Sequence, residues 1–336
     1  MSALATRRLG SGGPEITTVG FGTWAIGGTS GPVGLGKVED DESIAAIRRA
    51  IESGVNWIDT APAYGLGHSE EIVGRAVEPY RVGTDVLLFT KCAIPWGESD
   101  YRHDASPESI RRDCEESLRR LRCERIDLLQ IHWPDFVTGT PVEESWNTLA
   151  GLVDEGKVRW IGVSNFDVEL LERCEAIRHV DSLQPPLSLL RRGARNEVVP
   201  WCARNGTGVI VYSPLATGLL TGAFNDERVA SLPPDDSRVR LTPDFREPRL
   251  SAALALVERL RPIAERLGAT VTALSVAWTL AIPGVTGAIV GGRRADQIAG
   301  WLPAAGLELD ADTMAELELA IEETGAGDDA PPPTRI

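Results

Sequence analysis

The feature that most constrains this chain is an alternation, repeated eight times, between a short apolar run and a segment with the apolar period of a helix. This order is typical of a parallel β-sheet covered by helices. Most runs are apolar at successive positions, as expected for strands buried on both faces. The predicted strands are Thr18 to Trp24, Asn56 to Thr60, Val86 to Cys92, Ile126 to Trp133, Val158 to Asn165, Ser182 to Gln184, Gly208 to Ser213 and Gly287 to Gly291. Eight strands that are each followed by a helix close most naturally into a barrel, so we predict an α/β fold of the (β/α)8 TIM-barrel type.

The segments between the predicted strands also have recognisable helix ends. In the segment from Ser106 to Cys123, Ser106 is a capping residue, Pro107 suits the first turn, and Ile110 and Cys114 share one face. The predicted helices are Asp41 to Ser53, Ser69 to Pro79, Ser106 to Cys123, Val142 to Glu155, Val168 to Arg178, Glu197 to Arg204, Ala252 to Leu267 with Thr272 to Leu280, Asp296 to Leu302 and Asp312 to Glu323.

Three further segments lie outside the repeat. Residues from Arg7 to Glu15 predict a β-hairpin across the barrel floor. The stretch from Gly222 to Arg249 predicts a long loop after the seventh strand, and a loop of that length is a candidate wall of the active site. After the last predicted helix, Thr324 to Ile336 is rich in Gly, Asp and Pro and predicts a flexible tail. We therefore expect one domain over residues 1–336.

Composition excludes several classes of function. Lysine and arginine total 34 against 49 acidic residues, which gives a net charge of -15, and no basic stripe interrupts it. Nucleic-acid binding is therefore not expected. The five cysteines are scattered without a C-x-x-C pair, which favours reduced thiols in a cytoplasm and argues against a zinc site. The sequence contains no export signal and no apolar stretch of membrane-spanning length, so we expect a cytoplasmic protein without a membrane segment or a metal.

Catalytic groups of such a barrel stand at the carboxyl ends of its strands. The second predicted strand ends with Asp59-Thr60, and the loop after it contains Tyr64. The third ends with Lys91, one of three lysines, and the fourth reaches His132, one of four histidines. We therefore predict that Asp59, Tyr64, Lys91 and His132 converge as the catalytic residues.

These four residue types suit one kind of proton chemistry. A tyrosine hydroxyl, with an ordinary pKa near 10, is a poor acid at neutral pH unless a cation stabilises its anion. The ammonium of Lys91 would do so, and the Asp59 carboxylate would keep that ammonium charged in a partly desolvated site. His132 would then donate a hydrogen bond to a substrate oxygen.

Several motifs of the chain resemble the aldo-keto reductase superfamily over essentially its whole length. They are Val19-Gly20-Phe21-Gly22-Thr23-Trp24, Asp59-Thr60-Ala61-Pro62-Ala63-Tyr64-Gly65, Thr90-Lys91, His132-Trp133-Pro134-Asp135, Gly162-Val163-Ser164-Asn165-Phe166 and Tyr212-Ser213-Pro214-Leu215. A further likeness, through Gln184-Pro185-Pro186 and the segment from Ala330 to Arg335, is to bacterial stress-response members. Those members reduce small aldehydes with NADPH in a (β/α)8 barrel. The resemblance implies that Tyr64 is the proton donor of a tetrad formed by the same four residues.

The resemblance also implies a binding site for NADPH. Its nicotinamide carboxamide would be held by Ser164, Asn165 and Gln184, and its ring would stack on Tyr212. Its pyrophosphate would lie on the backbone after Tyr212, and its adenosine end near the eighth strand, where arginines suit a dianionic 2'-phosphate. The full set of implied cofactor residues is Thr23, Trp24, Asp59, Ser164, Asn165, Gln184, Tyr212, Ser213, Pro214, Leu215, Gly218, Gly291, Arg293, Arg294 and Gln297. Leu187 and Trp301 depart from the residues that many relatives carry at those positions.

The expected substrate is a small carbonyl compound. Trp24, Trp96 and Trp133 follow strand ends and should line an apolar pocket together with Tyr64 and His132. The sequence thus predicts an NADPH-dependent reductase of aldehydes or ketones. Two alternatives stay open: a non-catalytic NADPH-binding sensor on the same barrel, and an aldolase that forms a Schiff base through Lys91. The carbonyl compound, the direction of the reaction and the oligomeric state are not specified by these motifs.

Overall fold

The chain forms a closed parallel barrel in its computed structural model, which describes residues 3–28, 38–94, 103–233 and 236–331. The strands are β1 (Thr6–Arg8), β2 (Glu15–Thr17), β3 (Val19–Gly22), β4 (Trp57–Asp59), β5 (Leu87–Cys92), β6 (Ile126–Ile131), β7 (Val158–Ser164), β8 (Ser182–Gln184), β9 (Gly208–Val211) and β10 (Gly287–Gly291). Strands β3 to β10 pair in the order β10-β3-β4-β5-β6-β7-β8-β9. The predicted (β/α)8 barrel is therefore confirmed.

Helices alternate with these strands as the sequence predicts. The α-helices are α1 (Asp40–Glu52), α2 (His68–Val77), α3 (Pro107–Leu121), α4 (Val142–Asp154), α5 (Val168–Glu175), α6 (Val198–Asn205), α7 (Asp226–Ala230), α8 (Ser237–Leu241), α9 (Arg249–Arg266), α10 (Val271–Ala281), α11 (Ile298–Trp301) and α12 (Ala311–Thr324). Short 3-10 helices span Trp24–Ile26, Gly193–Arg195, Ala216–Thr221, Pro243–Phe245, Ala295–Gln297 and Leu302–Gly306. The Ser106 hydroxyl accepts the Ser109 N–H at 3.3 Å and so caps α3.

The hairpin of β1 and β2 closes the amino-terminal end of the barrel. Leu9 and Ile16 are fully buried and pack in one cluster with strand residues that include Trp57 and Phe89. The rings of Trp57 and Phe89 lie 5.3 Å apart. Gly20 makes room for this packing, because a Cβ at its position would lie 2.2 Å from the Trp57 ring. The barrel floor is thus packed with apolar side chains, and Asp59 and Lys91 lie toward the opposite, carboxyl ends of the strands.

The segment between β9 and α9 differs from the predicted loop, because it contains the helices α7 and α8. Local side chains explain these helices: Asn225 accepts the Arg228 N–H, and Asp236 accepts the Arg238 N–H. The rings of Phe224 and Phe245 pack edge to face at 5.4 Å, which ties the two ends of the segment together.

The beginning of the predicted tail lies against the barrel. The Asp328 N–H donates to the Leu190 carbonyl at 3.1 Å, and the Arg192 N–H donates to the Asp328 carbonyl at 3.0 Å. Gly327, with φ of 68°, fits closely here, since a Cβ would lie 2.4 Å from the Leu190 oxygen. Residues 332–336 lie outside the described residues, as does Trp96. Within the described ranges, no helix combines the length and the apolar character needed to cross a membrane.

Candidate active site

Asp59 and Lys91 form a buried ion pair at the carboxyl ends of β4 and β5. Lys91 Nζ donates to Asp59 Oδ1 at 2.6 Å and to the Thr60 carbonyl at 2.9 Å, and the exposed fractions of the two side chains are 3% and 1%. Burial raises the pKa of Asp59 and lowers the pKa of Lys91, while each charge opposes the shift of the other. The Asp59 carboxylate therefore favours the ammonium form of Lys91 against the effect of burial.

Tyr64 lies next to this ion pair on the loop that follows β4. Gly65 lets this loop turn back, because its φ of 64° favours glycine. It also packs closely against Gly27, since a Cβ at position 65 would lie 1.9 Å from the Gly27 oxygen. Lys91 Nζ lies 5.1 Å from the centroid of the Tyr64 ring. Burial, with a smaller contribution from Asp59, raises the pKa of Tyr64 well above its ordinary value. The phenol therefore carries its proton at neutral pH.

His132 completes the group directly after β6. Its ring meets the Tyr64 ring edge to face, with centroids 5.9 Å apart. Burial lowers the pKa of His132 well below its ordinary value, and the positive charge of Lys91 adds to that shift. The imidazole is therefore neutral at neutral pH and offers one N–H donor. Both His132 and Tyr64 keep part of their surface exposed at the barrel mouth.

Ser164, Asn165, Gln184 and Tyr212 form a hydrogen-bond network beside the ion pair. The Ser164 hydroxyl donates to the Gln184 carbonyl at 2.8 Å, and the Tyr212 hydroxyl donates to Asn165 Oδ1 at 2.8 Å. Gln184 Nε2 donates to Asp59 Oδ2 at 2.8 Å, which joins this network to the ion pair. Asn165 itself adopts a left-handed backbone, with φ of 62°. The four side chains are thus fixed in advance of any ligand.

The backbone after Tyr212 has an unusual run of conformations. Positive φ angles occur at Ser213 (55°), Ala216 (46°), Thr217 (54°) and Gly218 (106°). Residues other than glycine rarely adopt such angles, and they recur where a backbone is shaped to a ligand. Pro214 and Leu215 lie inside this run. Successive amides in such turns form concave sites for anions.

The loop after β10 places the predicted arginines differently from each other. Gln297 Oε1 accepts the backbone N–H groups of Arg293 at 2.7 Å and Arg294 at 3.2 Å, so its side chain shapes the loop that follows Gly291. Arg294 is exposed and pairs with Asp296 through two hydrogen bonds of 3.0 and 3.1 Å. Arg293 is half-buried, and burial, with the positive charge of Arg238 next, lowers its pKa.

The remaining predicted residues fall into separate surroundings. Thr23 is fully buried, and its hydroxyl donates to the Asp59 carbonyl at 3.1 Å, so the structure ties it to the protein backbone. Trp24 opens a 3-10 helix after β3 and is partly exposed. Trp133 is partly exposed, and its ring lies 6.4 Å from that of His103, a buried residue outside the predicted site.

Sequence reasoning also missed Arg238, which lies in the segment after β9. Its guanidinium pairs with Asp236 at 2.6 Å and lies 5.5 Å from the Phe224 ring centroid. The positive charge of Arg238 contributes to the lowered pKa of Arg293 on the loop after β10. Two segments that are distant in sequence therefore bring the cations Arg238 and Arg293 together. Only its position in the predicted loop could have suggested Arg238 from the sequence.

A closed parallel barrel with polar side chains gathered at the carboxyl ends of its strands defines the class of (β/α)8-barrel enzymes. The profile of the Aldo/keto reductase family matches residues 18–322. The chain is 37% identical over 328 residues to aldo-keto reductase YhdN of Bacillus subtilis (strain 168), with 96% of each chain covered. The chain therefore belongs to the aldo/keto reductase family, whose members are oxidoreductases of carbonyl compounds.

Other relatives differ in what their names state. The NADH-specific methylglyoxal reductase of Escherichia coli (strain K12) is 34% identical over 330 residues, covering 94% of this chain and 98% of the relative. The glycerol dehydrogenase AKR11B4 from Gluconobacter oxydans superposes with a TM-score of 0.86 at 35% identity, covering 98% and 99% of the two chains. An aldo/keto reductase from Klebsiella pneumoniae, solved with NADP and acetate, superposes with a TM-score of 0.69 at 26% identity, covering 93% and 94%.

Proposed function

We propose that the protein is an NADPH-dependent reductase of small aldehydes or ketones, with Tyr64 as proton donor. The observation that carries this proposal is the buried Asp59–Lys91 ion pair, whose ammonium lies 5.1 Å from the Tyr64 ring centroid. A buried cation beside a phenol is what an acid with a high ordinary pKa requires.

The residues at the mouth fit a nicotinamide dinucleotide. Asn165 and Gln184 carry amide groups that suit a carboxamide, and the partly exposed Tyr212 ring offers a flat face. The backbone from Ser213 to Gly218 has the positive φ angles of an anion-binding turn. When bound, the cofactor supplies the hydride that a carbonyl carbon accepts.

The protein's own groups then handle the proton and the charge. Tyr64 gives its hydroxyl proton to the carbonyl oxygen, which becomes the alcohol oxygen as the carbon gains the hydride. Lys91 stabilises the phenolate that Tyr64 leaves behind, and Asp59 keeps Lys91 charged. The neutral imidazole of His132 orients the carbonyl through a hydrogen bond. Proton return from water through the partly exposed mouth resets Tyr64.

The preference for NADPH over NADH rests on charge. The chain carries a net charge of -15, which repels an anionic dinucleotide, so a local group of cations has to offset that field. Arg293, Arg294 and Arg238 lie around the loop after β10; Arg294 is paired with Asp296 and Arg238 with Asp236, and the positive charge of Arg238 acts on Arg293 more strongly than the negative charge of Asp236. The relatives include both an NADH-specific enzyme and one solved with NADP, so family membership alone does not decide the cofactor.

A cofactor-oxidation screen tests this function. Purified full-length protein is mixed with NADPH or NADH and a panel of aldehydes, ketones and sugars that includes methylglyoxal, and glycerol oxidation is measured in the reverse direction. We expect carbonyl-dependent oxidation of NADPH with at least one small aldehyde. Tight cofactor binding without turnover across the panel would instead favour the sensor, and borohydride trapping of a carbonyl on Lys91 would favour the aldolase.

A further inference from the structure

Glu70 lies outside the four converging residues and yet is fully buried beside them. From the first turn of α2, its Oε1 accepts a hydrogen bond from the Thr90 hydroxyl at 2.6 Å, and its Oε2 accepts one from Arg120 Nε at 2.7 Å. Thr90 immediately precedes Lys91 on β5, and Arg120 lies in the last turn of α3. One buried carboxylate therefore joins α2, β5 and α3.

The burial of this ion pair calls for a reason beyond stability. The exposed fractions of the side chains are 0% for Glu70 and 6% for Arg120. Removing two charges from water costs several kcal/mol, and an apolar pair of similar volume often stabilises a fold equally well. Burial raises the pKa of Glu70, and the Arg120 guanidinium opposes this rise. The pair lies next to β5, the strand that carries Lys91, and this location suggests the role of the two charges.

The same pair holds the loop that carries Tyr64. The Ser69 N–H donates to the Tyr64 carbonyl at 3.2 Å, so the loop is bound to the start of α2 one residue before Glu70. Gly67, in that loop, lies against Arg120, because a Cβ at its position would come within 2.9 Å of Arg120 Cδ. A shift of Glu70 or Arg120 would therefore move the Tyr64 loop.

The pair also acts on Lys91 through the other end of the carboxylate. The Thr90 hydroxyl fixes β5 to Glu70 immediately before Lys91. The negative charge of Glu70 favours the charged form of Lys91 and so opposes the lowering of its pKa by burial. Position and charge of the ammonium thus both depend on Glu70.

We propose that the Glu70–Arg120 ion pair is a positioning device that sets Lys91 against Tyr64, without touching substrate or cofactor. The proposal rests on the proposed function insofar as it concerns turnover. Its effect on Lys91 is independent of turnover and can be measured separately.

Three variants of the full chain separate this role from general destabilisation. Glu70→Gln removes the charge with little change of shape, and Thr90→Val keeps the ion pair but breaks its link to β5. Asp127→Asn is the matched control: Asp127 is also buried, pairs with Arg159 at 3.3 Å and accepts the Leu88 N–H at 2.9 Å, but it lies at the beginning of β6. Circular dichroism and urea unfolding verify that each variant is folded.

Two readouts decide the proposal. The first is kcat for carbonyl reduction, with the KM for the cofactor as its reference. The second is the titration of Lys91, followed by NMR of isotope-labelled lysine Cε; the chain has three lysines, so Lys37→Arg and Lys157→Arg assign the signals. Glu70→Gln should lower kcat by about 10- to 100-fold at a nearly constant KM, the range for a misplaced reacting group. The pKa of Lys91 should fall, because the negative charge of Glu70 that favours the ammonium is then absent.

Thr90→Val should lower kcat with a smaller change in the Lys91 titration, and Asp127→Asn should leave both near the wild-type values. If Glu70→Gln and Thr90→Val both match Asp127→Asn in kcat and in the Lys91 titration, the proposal is wrong. If Glu70→Gln does not fold, Thr90→Val decides. If the wild-type protein reduces no carbonyl, the proposed function fails, and the Lys91 titration alone decides whether Glu70 supports the ammonium.

Discussion

Gln184 Nε2 donates a hydrogen bond to Asp59 Oδ2 over 2.8 Å, although 125 positions separate the two residues in the chain. Lys91 occupies the other carboxylate oxygen, so both oxygens of Asp59 are bound by protein groups. We predict that Gln184→Leu leaves a buried oxygen without its donor and lowers the free energy of unfolding by about 1 to 3 kcal/mol, measured by urea denaturation. Gln297→Leu, at an exposed position in the 3-10 helix Ala295–Gln297, is the control and should lower the free energy of unfolding less. An unchanged urea midpoint for Gln184→Leu would contradict the prediction.

Tyr64→Phe tests the proton donor. The change removes one hydroxyl and leaves the ring in place beside His132, so kcat should fall by about 100- to 10,000-fold while the dissociation constant of the cofactor stays nearly constant. Turnover kinetics and a cofactor titration measure the two quantities. Tyr80→Phe, a partly exposed tyrosine after α2, should leave both unchanged. Wild-type turnover in Tyr64→Phe would exclude the phenol as the acid.

The barrel and the positions of the four converging residues could be predicted because both depend on local pattern. Apolar runs with strand length end in polar residues, and parallel strands place those ends on one side. The link between Gln184 and Asp59 could not be predicted in this way, since it depends on closure of the barrel between distant strands. The same holds for Arg238. Asp236 specifies its helix locally, but its neighbour in space, Arg293, comes only after β10 in the sequence.

The turn after Tyr212 shows a second limit of sequence reasoning. Ser213, Ala216 and Thr217 adopt left-handed conformations that residues other than glycine rarely take, so nothing in their identity predicts them. Gly218 is the one residue of this turn whose type favours a positive φ. Glu70 was missed for a related reason: a carboxylate in the first turn of a helix is usually solvated, and its burial depends on the packing of α3.

The Asp59–Lys91 pair predicts a non-additive series of stabilities. Asp59→Leu leaves a buried ammonium without its partner, and Lys91→Met leaves a buried carboxylate without its partner. Each should therefore lower the free energy of unfolding by up to about 3 to 5 kcal/mol. The double variant removes both charges and should be more stable than either single variant. Turnover should be absent in all three, which separates stability from catalysis. If the double variant loses the sum of both single effects, the two charges do not stabilise each other.

Asp113 predicts a pH dependence of stability. This α3 residue accepts the Ala93 N–H at 3.0 Å, and Arg112, Glu116 and Arg120 lie around it; burial raises the pKa of Asp113 from 3.8 to about 6. A pKa that is higher in the folded than in the unfolded state gives stability that is complete below pH 3.8 and is lost as the pH rises through about 6.

The free energy of unfolding should fall by about 3 kcal/mol at most through Asp113, because the pKa of this carboxyl rises from 3.8 to about 6 on folding. Asp113→Asn keeps an acceptor for the Ala93 N–H and removes the titration. Urea unfolding at several pH values should therefore show that the free energy of unfolding of the wild type falls relative to that of the variant between about pH 4 and pH 6. Parallel curves for the two proteins would contradict this assignment.

The last prediction concerns how the chain distinguishes NADPH from NADH. Arg294 is exposed and pairs with Asp296, so water screens its attraction for a ligand phosphate. Arg293 is half-buried and lies near the positive charge of Arg238, which favours the arrival of an anion. Arg293→Ala should therefore weaken NADPH binding by about 1.5 to 3 kcal/mol, roughly 10- to 100-fold, and leave NADH binding nearly unchanged. Arg294→Ala should have a smaller effect on the ratio of the dissociation constants for NADPH and NADH. The two dissociation constants, measured at fixed salt for wild type and both variants, test this order. An unchanged ratio in both variants would mean that the preference is set elsewhere or that the enzyme uses NADH.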